Sequence, residues 1–239
     1  MRQPSRALKI RYFQNLYKSY LKLNFSWIED RPVAIAGLVR RLQTAFETSG
    51  GFGIFDDGAD GGLFHRSLLW RRDQDSYLIP IVFSQEPRVK VPTWPWMAYK
   101  GGIDYLDPVF RTTDWEKNEI RLPWTRGNSS SGETTPHDTG IALSATVRNF
   151  FVARRRADDV ELVYDTERTA SDGQRAQCVI VARSKEESED QDKKHYVLLV
   201  VPTGGTAARG QATYKRVGAG FMLGRCIVMG EPCIRATIY

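Results

Sequence analysis

Cys178 and His195 come nearest, by residue type and separation, to a nucleophile and its base. A thiolate nucleophile needs its imidazole within ~3 Å. The apolar runs 178–182 and 196–201 read as neighbouring strands around a charged tip, 185–194, with Arg183 opposite Tyr196. Cys178 then falls opposite Val201 and His195 stays at the tip, about 20 Å away at strand rise. That geometry excludes the dyad. Cys226 and Cys233 lack the paired CxxC or HxxxH spacing of zinc sites and read as inert thiols. Asp56, Asp57, Asp60 and Gly61 resemble the start of a calcium loop. The chain offers Ser67 where that loop needs its closing bidentate Glu. Gly218, Gly220 and Gly224 are spaced like a phosphate loop, but no GK[ST] and no amphipathic helix follow. They read instead as a bulge, or a bend where backbones come close. His65 sits among bulky apolar residues in 63–70, the setting of a core histidine; hydrolytic use would need an acid or nucleophile ~3 Å away. Arg154, Arg155 and Arg156 meet Asp158 and Asp159 at once, which partly cancels their field. No two acids stand out by spacing. No catalytic, cofactor-binding or metal-ligating residue is expected, and no cofactor.

The elements that would position these side chains begin with a helix over 4–23. Leu8, Tyr12, Phe13, Leu16, Tyr17, Tyr20 and Leu21 cover a broad apolar arc at 100° per residue. Arg11, Lys18 and Lys22 form a narrow basic stripe beside Gln14 and Asn15. Three readings fit: a core helix with a solvated face, a surface for phosphates or anionic lipid through Arg11, Lys18 and Lys22, or a cleavable presequence. A second helix opens at Pro32, whose missing N–H is harmless in a first turn, with Glu29 and Asp30 complementing the dipole. Ile35, Leu38, Val39, Leu42, Ala45 and Phe46 give its buried stripe, and Gly50-Gly51 its stop. Residues 51–62 form a glycine- and aspartate-rich loop, and 63–69 a short helix leading to Trp70. In 91–106, Trp94 and Trp96 are two apart; extended backbone puts both indoles and Ala98 on one face, closed by Gly101-Gly102. Trp70, Trp94, Trp96, Pro32 and Leu38 are the expected structural anchors. Trp115, Ile120, Leu122 and Trp124 suggest one or two further strands.

Residues 127–138, rich in Asn, Ser, Thr, Gly and Pro, read as a flexible linker. They divide a segment of helices plus tryptophan-rich strands, 1–126, from a β-rich part, 139–239, packed with it as one unit. Beyond the linker the period changes to two: Ile141, Leu143, Ala145 and Val147, then Val160, Leu162 and Tyr164. The continuous runs 178–182 and 196–201 suit strands covered on both faces, and 217–223, 226–229 and 234–239 add more. The expected fold is α+β, with N-terminal helices packed beside an antiparallel β-rich body, a sandwich or a barrel-like sheet.

The net charge of +6 over 239 residues is unevenly placed. Arg2, Arg6, Lys9, Arg11, Lys18 and Lys22 carry it without an acid among them, while the rest of the chain holds 28 charges of each sign. The alkaline balance therefore belongs to one segment and argues against a general nucleic-acid-binding surface. No apolar run nears the ~20 residues a bilayer span needs. Three cysteines, and no apolar leader, point to a soluble protein of a reducing compartment, the cytoplasm. The Asn24 and Asn128 sequons are then expected to stay unmodified.

Three segments occur in order: Trp27-Ile-Glu-Asp-Arg-Pro-Val-Ala-Ile-Ala-Gly-Leu38, Leu63-Phe-His-Arg-Ser-Leu-Leu-Trp70 and Pro92-Thr-Trp-Pro-Trp-Met-Ala-Tyr-Lys-Gly-Gly-Ile103. In that order they resemble the region downstream of the HET domain in fungal heterokaryon-incompatibility proteins. The resemblance covers residues 10–124 and continues more loosely through 160–166, 195–203 and 214–227. It implies a role in non-self recognition and cell-death signalling, with protein as the partner: an effector domain or a non-self component. The chain departs from the family in lacking a YxWG-like segment and an aromatic-Ile-Asp-x-Leu-Cys segment, so the effector half is expected to be missing. No catalytic residue carries over. Thr93 and Pro95 stand where serines are expected around Trp94, and Pro95 favours an edge. The function expected is a non-enzymatic accessory or regulatory region. The alternatives are the basic-helix module for RNA or membrane and, remotely, a hydrolase using His65.

Overall fold

The computed structural model describes residues 5–23, 30–56, 62–75, 77–83, 91–121, 142–151, 159–167, 175–185, 189–206, 210–230 and 233–239. The readings placed on Trp27, Asp57, Asp60, Leu122, Trp124, 127–138, Ile141 and Arg154–Arg156 lie outside them. Ser5 opens α1 (Arg6–Leu21): its Oγ accepts the Leu8 amide at 3.4 Å, pairing one of the amides a helix start leaves open. The buried face of α1 is Ile10, Phe13, Gln14, Tyr17 and Leu21. This corrects the expected arc, since Leu8 and Tyr12 are 58% and 56% exposed while Gln14 turns inward. The cause is tertiary. Phe13 and Tyr17 meet Phe55 at centroid distances of 5.5 and 6.0 Å, and Trp96 and Tyr105 complete the aromatic cage. A helix whose aromatics span so wide an arc buries only the part that the cage can cover.

α2 (Arg31–Phe46) has Pro32 in its first turn, as its fixed φ favours. It stops earlier than expected. Glu47 takes a left-handed φ of 52° and its amide closes on the carbonyls of Gln43 and Thr44. Gly50 and Gly51 instead belong to β1 (Ser49–Gly51), which pairs with β2 (Ile54–Asp56) across a two-residue turn. Gln43 Nε2 donates to the Gly50 carbonyl at 2.7 Å and ties this hairpin to the helix end. The stretch expected as one loop thus begins as a hairpin.

α3 (Leu63–Leu68) is buried along its whole length and runs into β3 (Trp70–Arg72). After β4 (Ile79–Pro80), the tryptophan pair is corrected: Trp96–Ala98 form a 3-10 turn, so the indoles are not same-face neighbours on a strand. Pro95 donates no amide to a ladder, and the chain bends there instead of pairing. Both indoles are fully buried all the same. β5 (Tyr99–Lys100) pairs with β4, and β6 (Ile103–Tyr105) pairs with β3. Gly101, at φ 134°, switches the chain between these small sheets, where a Cβ would stand 2.6 Å from Leu78.

Among the described residues, the body is an eight-stranded sheet built from β7 (Thr113–Trp115), β8 (Ile120–Arg121), β9 (Leu143–Val147), β10 (Val160–Tyr164), β11 (Gln177–Ser184), β12 (Lys194–Thr206), β13 (Ala212–Leu223) and β14 (Ile234–Ile238). Its order is β7-β11-β12-β13-β14-β9-β8, antiparallel except for β13 beside β14. β13 begins at Ala212, earlier than expected, and has two partners along one edge: β14 near Thr213 and β10 from Gly218 onward. The sheet is barrel-like, for its two ends are joined. Arg148 and Cys178 exchange both amide bonds at 2.9 Å, and residues 116–119 bridge β7 to β8. Segments on both sides of 127–138 therefore share one sheet.

The β11–β12 hairpin forms in a different register from the one expected. Arg183 faces His195, and a slip between Ile180 and Ala182 brings Cys178 opposite Leu199. The Val181 carbonyl is taken by the Glu116 amide at 3.0 Å, which accounts for the bulge there. Alternation then fills two faces: Val179, Val181, Leu198 and Val200 join the main core, while Cys178, Ile180, Val197 and Leu199 join a second cluster. Residues 226–229, expected as a strand, instead follow a 3-10 turn (Gly224–Cys226) and make one bridge, Phe150 to Ile227. Among the described residues, no helix is long and apolar enough to cross a membrane.

Candidate functional site

Cys178, His195 and His65 are engaged in holding the fold. Cys178 and His195 lie on one hairpin about 13 Å apart at strand rise, nearer than expected yet far beyond transfer range. Burial pushes the Cys178 thiol up to about 12, so it stays protonated at neutral pH. His195 Nδ1 meets the Lys193 carbonyl at 2.9 Å, and burial holds its pKa below the usual value. His65 is buried between Phe64 and Trp115, with Nε2 3.4 Å from the Glu116 carbonyl; burial lowers its pKa to about 4. It faces a backbone acceptor, the arrangement of a core histidine. Gly218 and Gly220 admit β10: a Cβ on Gly218 would stand 2.5 Å from the Val163 carbonyl, and one on Gly220 would collide with that of Glu161. That is the close backbone approach the glycines suggested. Asp56 ends β2, and no metal-sized group of His, Cys, Asp and Glu occurs among the described residues.

Of the basic stripe, Arg11 and Lys22 are exposed, whereas Lys18 forms an ion pair with Asp104. The stripe is thereby interrupted at its centre. Two arginines that the sequence did not single out organise the interior. Arg216, fully buried, donates from Nε to Asp165 at 3.0 Å and from its other nitrogens to the carbonyls of Leu68 and Trp70. Its guanidinium lies 3.3 Å from the Trp70 ring centroid. Arg31 reaches the Tyr99 carbonyl, while Trp70 Nε1 donates to the Trp94 carbonyl at 3.0 Å. The segments 30–38, 63–70 and 92–103 are thus bonded to one another, and Trp70, Trp94 and Trp96 anchor them. Leu38 packs on the same core, half-buried.

These segments line a concavity of the helical layer. Val33, Ile35, Ala36, Val39 and Arg40 of α2, Gly51 and Phe52 of the β1–β2 hairpin, and Met97 line an apolar groove of about 350 Å³. Ile35, Val39 and Met97 are buried and form its floor; Val33 is 68% exposed at its rim. Phe52 has a left-handed φ of 54° and Gly53 one of 80°, the pair of positive φ values that a tight two-residue hairpin turn requires. Glycine and Asn adopt this at the first position at little cost; a phenylalanine there carries about 1–2 kcal/mol of strain. The turn sets the Phe52 ring edge-on to Trp94 at 6.3 Å and along the groove. Arg40 is exposed at the end of the groove nearer the C-terminus of α2, and Gly37 leaves open space above the helix. The arrangement can seat an apolar segment and offers a cationic end to an acidic flank. The signal available in sequence was Gly51-Phe-Gly-Ile-Phe55, a two-residue turn before an apolar pair.

A scan against models of protein families finds no match, and searches of curated proteins and of solved structures find none either.

Proposed function

We propose that this chain is a non-enzymatic recognition region of a heterokaryon-incompatibility-type protein, acting in fungal non-self recognition by seating a protein segment in the α2 groove. The occupant has an apolar face and an acidic flank, and comes from a HET effector domain that the region restrains. The observation that carries this reading is the composition of the groove. Half of its lining comes from two segments that bear the family resemblance, Val33, Ile35 and Ala36 from one and Met97 from the other. A strained Phe52 completes it, and strain of this kind persists where the surroundings over-determine it. Exposed apolar surface rimmed by charge is a common form of protein-recognition site.

The test is calorimetric titration of the full chain with a recombinant HET domain, repeated with Ala36→Glu and with Arg121→Glu on the distant β8. Binding weakened tenfold or more by Ala36→Glu, at unchanged melting temperature, and unaffected by Arg121→Glu is the expected result; such a loss corresponds to about 1.4 kcal/mol. Equal binding by Ala36→Glu removes the groove, and failure of the unmodified chain to bind removes the effector reading. Hydrolysis of a nucleotide by the purified chain, abolished by one polar substitution, would overturn the non-enzymatic assignment.

A further inference from the structure

A second concavity lies where β12 outruns its neighbour. β11 first pairs with β12 at Gln177 and Val200, so Val201, Pro202 and Thr203 continue past the last paired residue of β11. Pro202 has no amide to offer along that edge. Val201, Pro202 and Thr203, with Lys215 of β13 and Arg175 ahead of β11, enclose about 280 Å³. Thr203 is held in place, its Oγ1 lying 3.1 Å from the Thr213 carbonyl and 2.5 Å from Thr213 Oγ1. The register facing Val201 fixes Lys215, which points outward between the buried Tyr214 and Arg216.

Two cations open into this cavity, and among the described residues no carboxylate lines it. Like charges sharing one concavity repel, by about 1 kcal/mol at 4 Å in water and more where protein displaces solvent. A dianion between them converts that repulsion into two charge-assisted hydrogen bonds, with the guanidinium offering a planar fork and the ammonium a point charge. The volume exceeds that of a bare phosphate, and Pro202, backed by the buried Val201, provides an apolar wall for whatever carries it. We propose that this cavity binds a phosphomonoester, with the phosphoryl group between Arg175 and Lys215 and its organic substituent against Val201 and Pro202. The site is independent of the α2 groove and of the basic stripe on α1.

The experiment is NMR titration of the full ¹⁵N-labelled chain with phenyl phosphate, inorganic phosphate and a phosphoserine peptide. Saturable shifts centred on the amides of Val201, Thr203 and Lys215 are expected with phenyl phosphate. Affinity should fall roughly tenfold or more in Arg175→Gln and in Lys215→Gln, since each removes a charge-assisted hydrogen bond. It should also fall below about pH 6, where the phosphate loses its second charge. Both substitutions are on exposed side chains, and an unchanged melting temperature shows that the fold is retained. A preference for the peptide over phenyl phosphate assigns the source to modified protein; the reverse assigns it to a small molecule. Absence of saturable shifts at millimolar phenyl phosphate, equal affinity in both variants, or shifts centred on α1 would overturn the site. Equal affinity for inorganic phosphate would overturn the apolar wall.

Discussion

His65 illustrates how one residue can be assigned by its surroundings. Between Phe64 and Trp115, burial lowers its pKa from 6.5 to about 4. The unfolded chain therefore takes up a proton between those values that the folded chain refuses. The stability from keeping this imidazole neutral is complete above about pH 6.5 and is lost as the pH falls toward 4, a change of roughly 3 kcal/mol when the full shift is realised. His195, also held low by burial, works in the same direction. Urea unfolding at pH 7 and pH 4.5 should show this loss, and His65→Gln should lessen it; an unchanged pH dependence in that variant would contradict the assignment. The setting of His65 was legible because its neighbours in sequence are bulky and apolar. Arg216 was not, since nothing local marks an arginine for burial. Its pairing with Asp165 is enclosed from solvent, so Asp165→Ala should cost about 3–5 kcal/mol by stranding the guanidinium. Arg216→Met combined with Asp165→Leu should restore only part of that, since the carbonyls of Leu68 and Trp70 then lose their donor, as a double-mutant cycle by denaturant unfolding would measure.

Elements formed where the sequence periodicity was strong, and their ends were set by contacts. α2 followed its spacing but stopped at Glu47, because Gln43 ties the helix end to a hairpin. The Trp94–Trp96 segment alternates on paper, yet Pro95 breaks the ladder and a 3-10 turn buries both rings. β10 adds to β13 only because Gly218 and Gly220 leave room for its backbone. Gly220→Ala should accordingly destabilise by about 1–3 kcal/mol, the usual cost of overpacking. Hydrogen exchange should then show lost protection at Leu162 and Tyr164, while β11 and β12 keep theirs. Protection retained throughout β10 would mean the strand docks by other contacts. The β11–β12 register departs from the expected one for a comparable reason. A bulge at Val181 answers a bond from Glu116, a residue remote in sequence.

At the scale of the whole molecule, α1 is part of the core and no detachable arm. Ile10, Phe13 and Tyr17 are fully buried, and Lys18 is paired to Asp104. Phe13→Ala should cost about 3–5 kcal/mol, and deletion of residues 1–22 should abolish cooperative thermal unfolding. A truncated chain that melts sharply near the parent temperature would revive the presequence reading. By itself, the sequence determined the α+β class, both long helices, the buried tryptophans and the strand-rich second half. These follow from local periodicity and from the size of apolar side chains, which any compact arrangement must enclose. Tertiary structure alone decided the closure of the sheet through Arg148 and Cys178, the face that α1 buries, the buried arginines and both concavities. Each depends on residues far apart in the chain meeting across space, where bulges, collisions and the pairing of buried charges select among arrangements that local preference leaves equal.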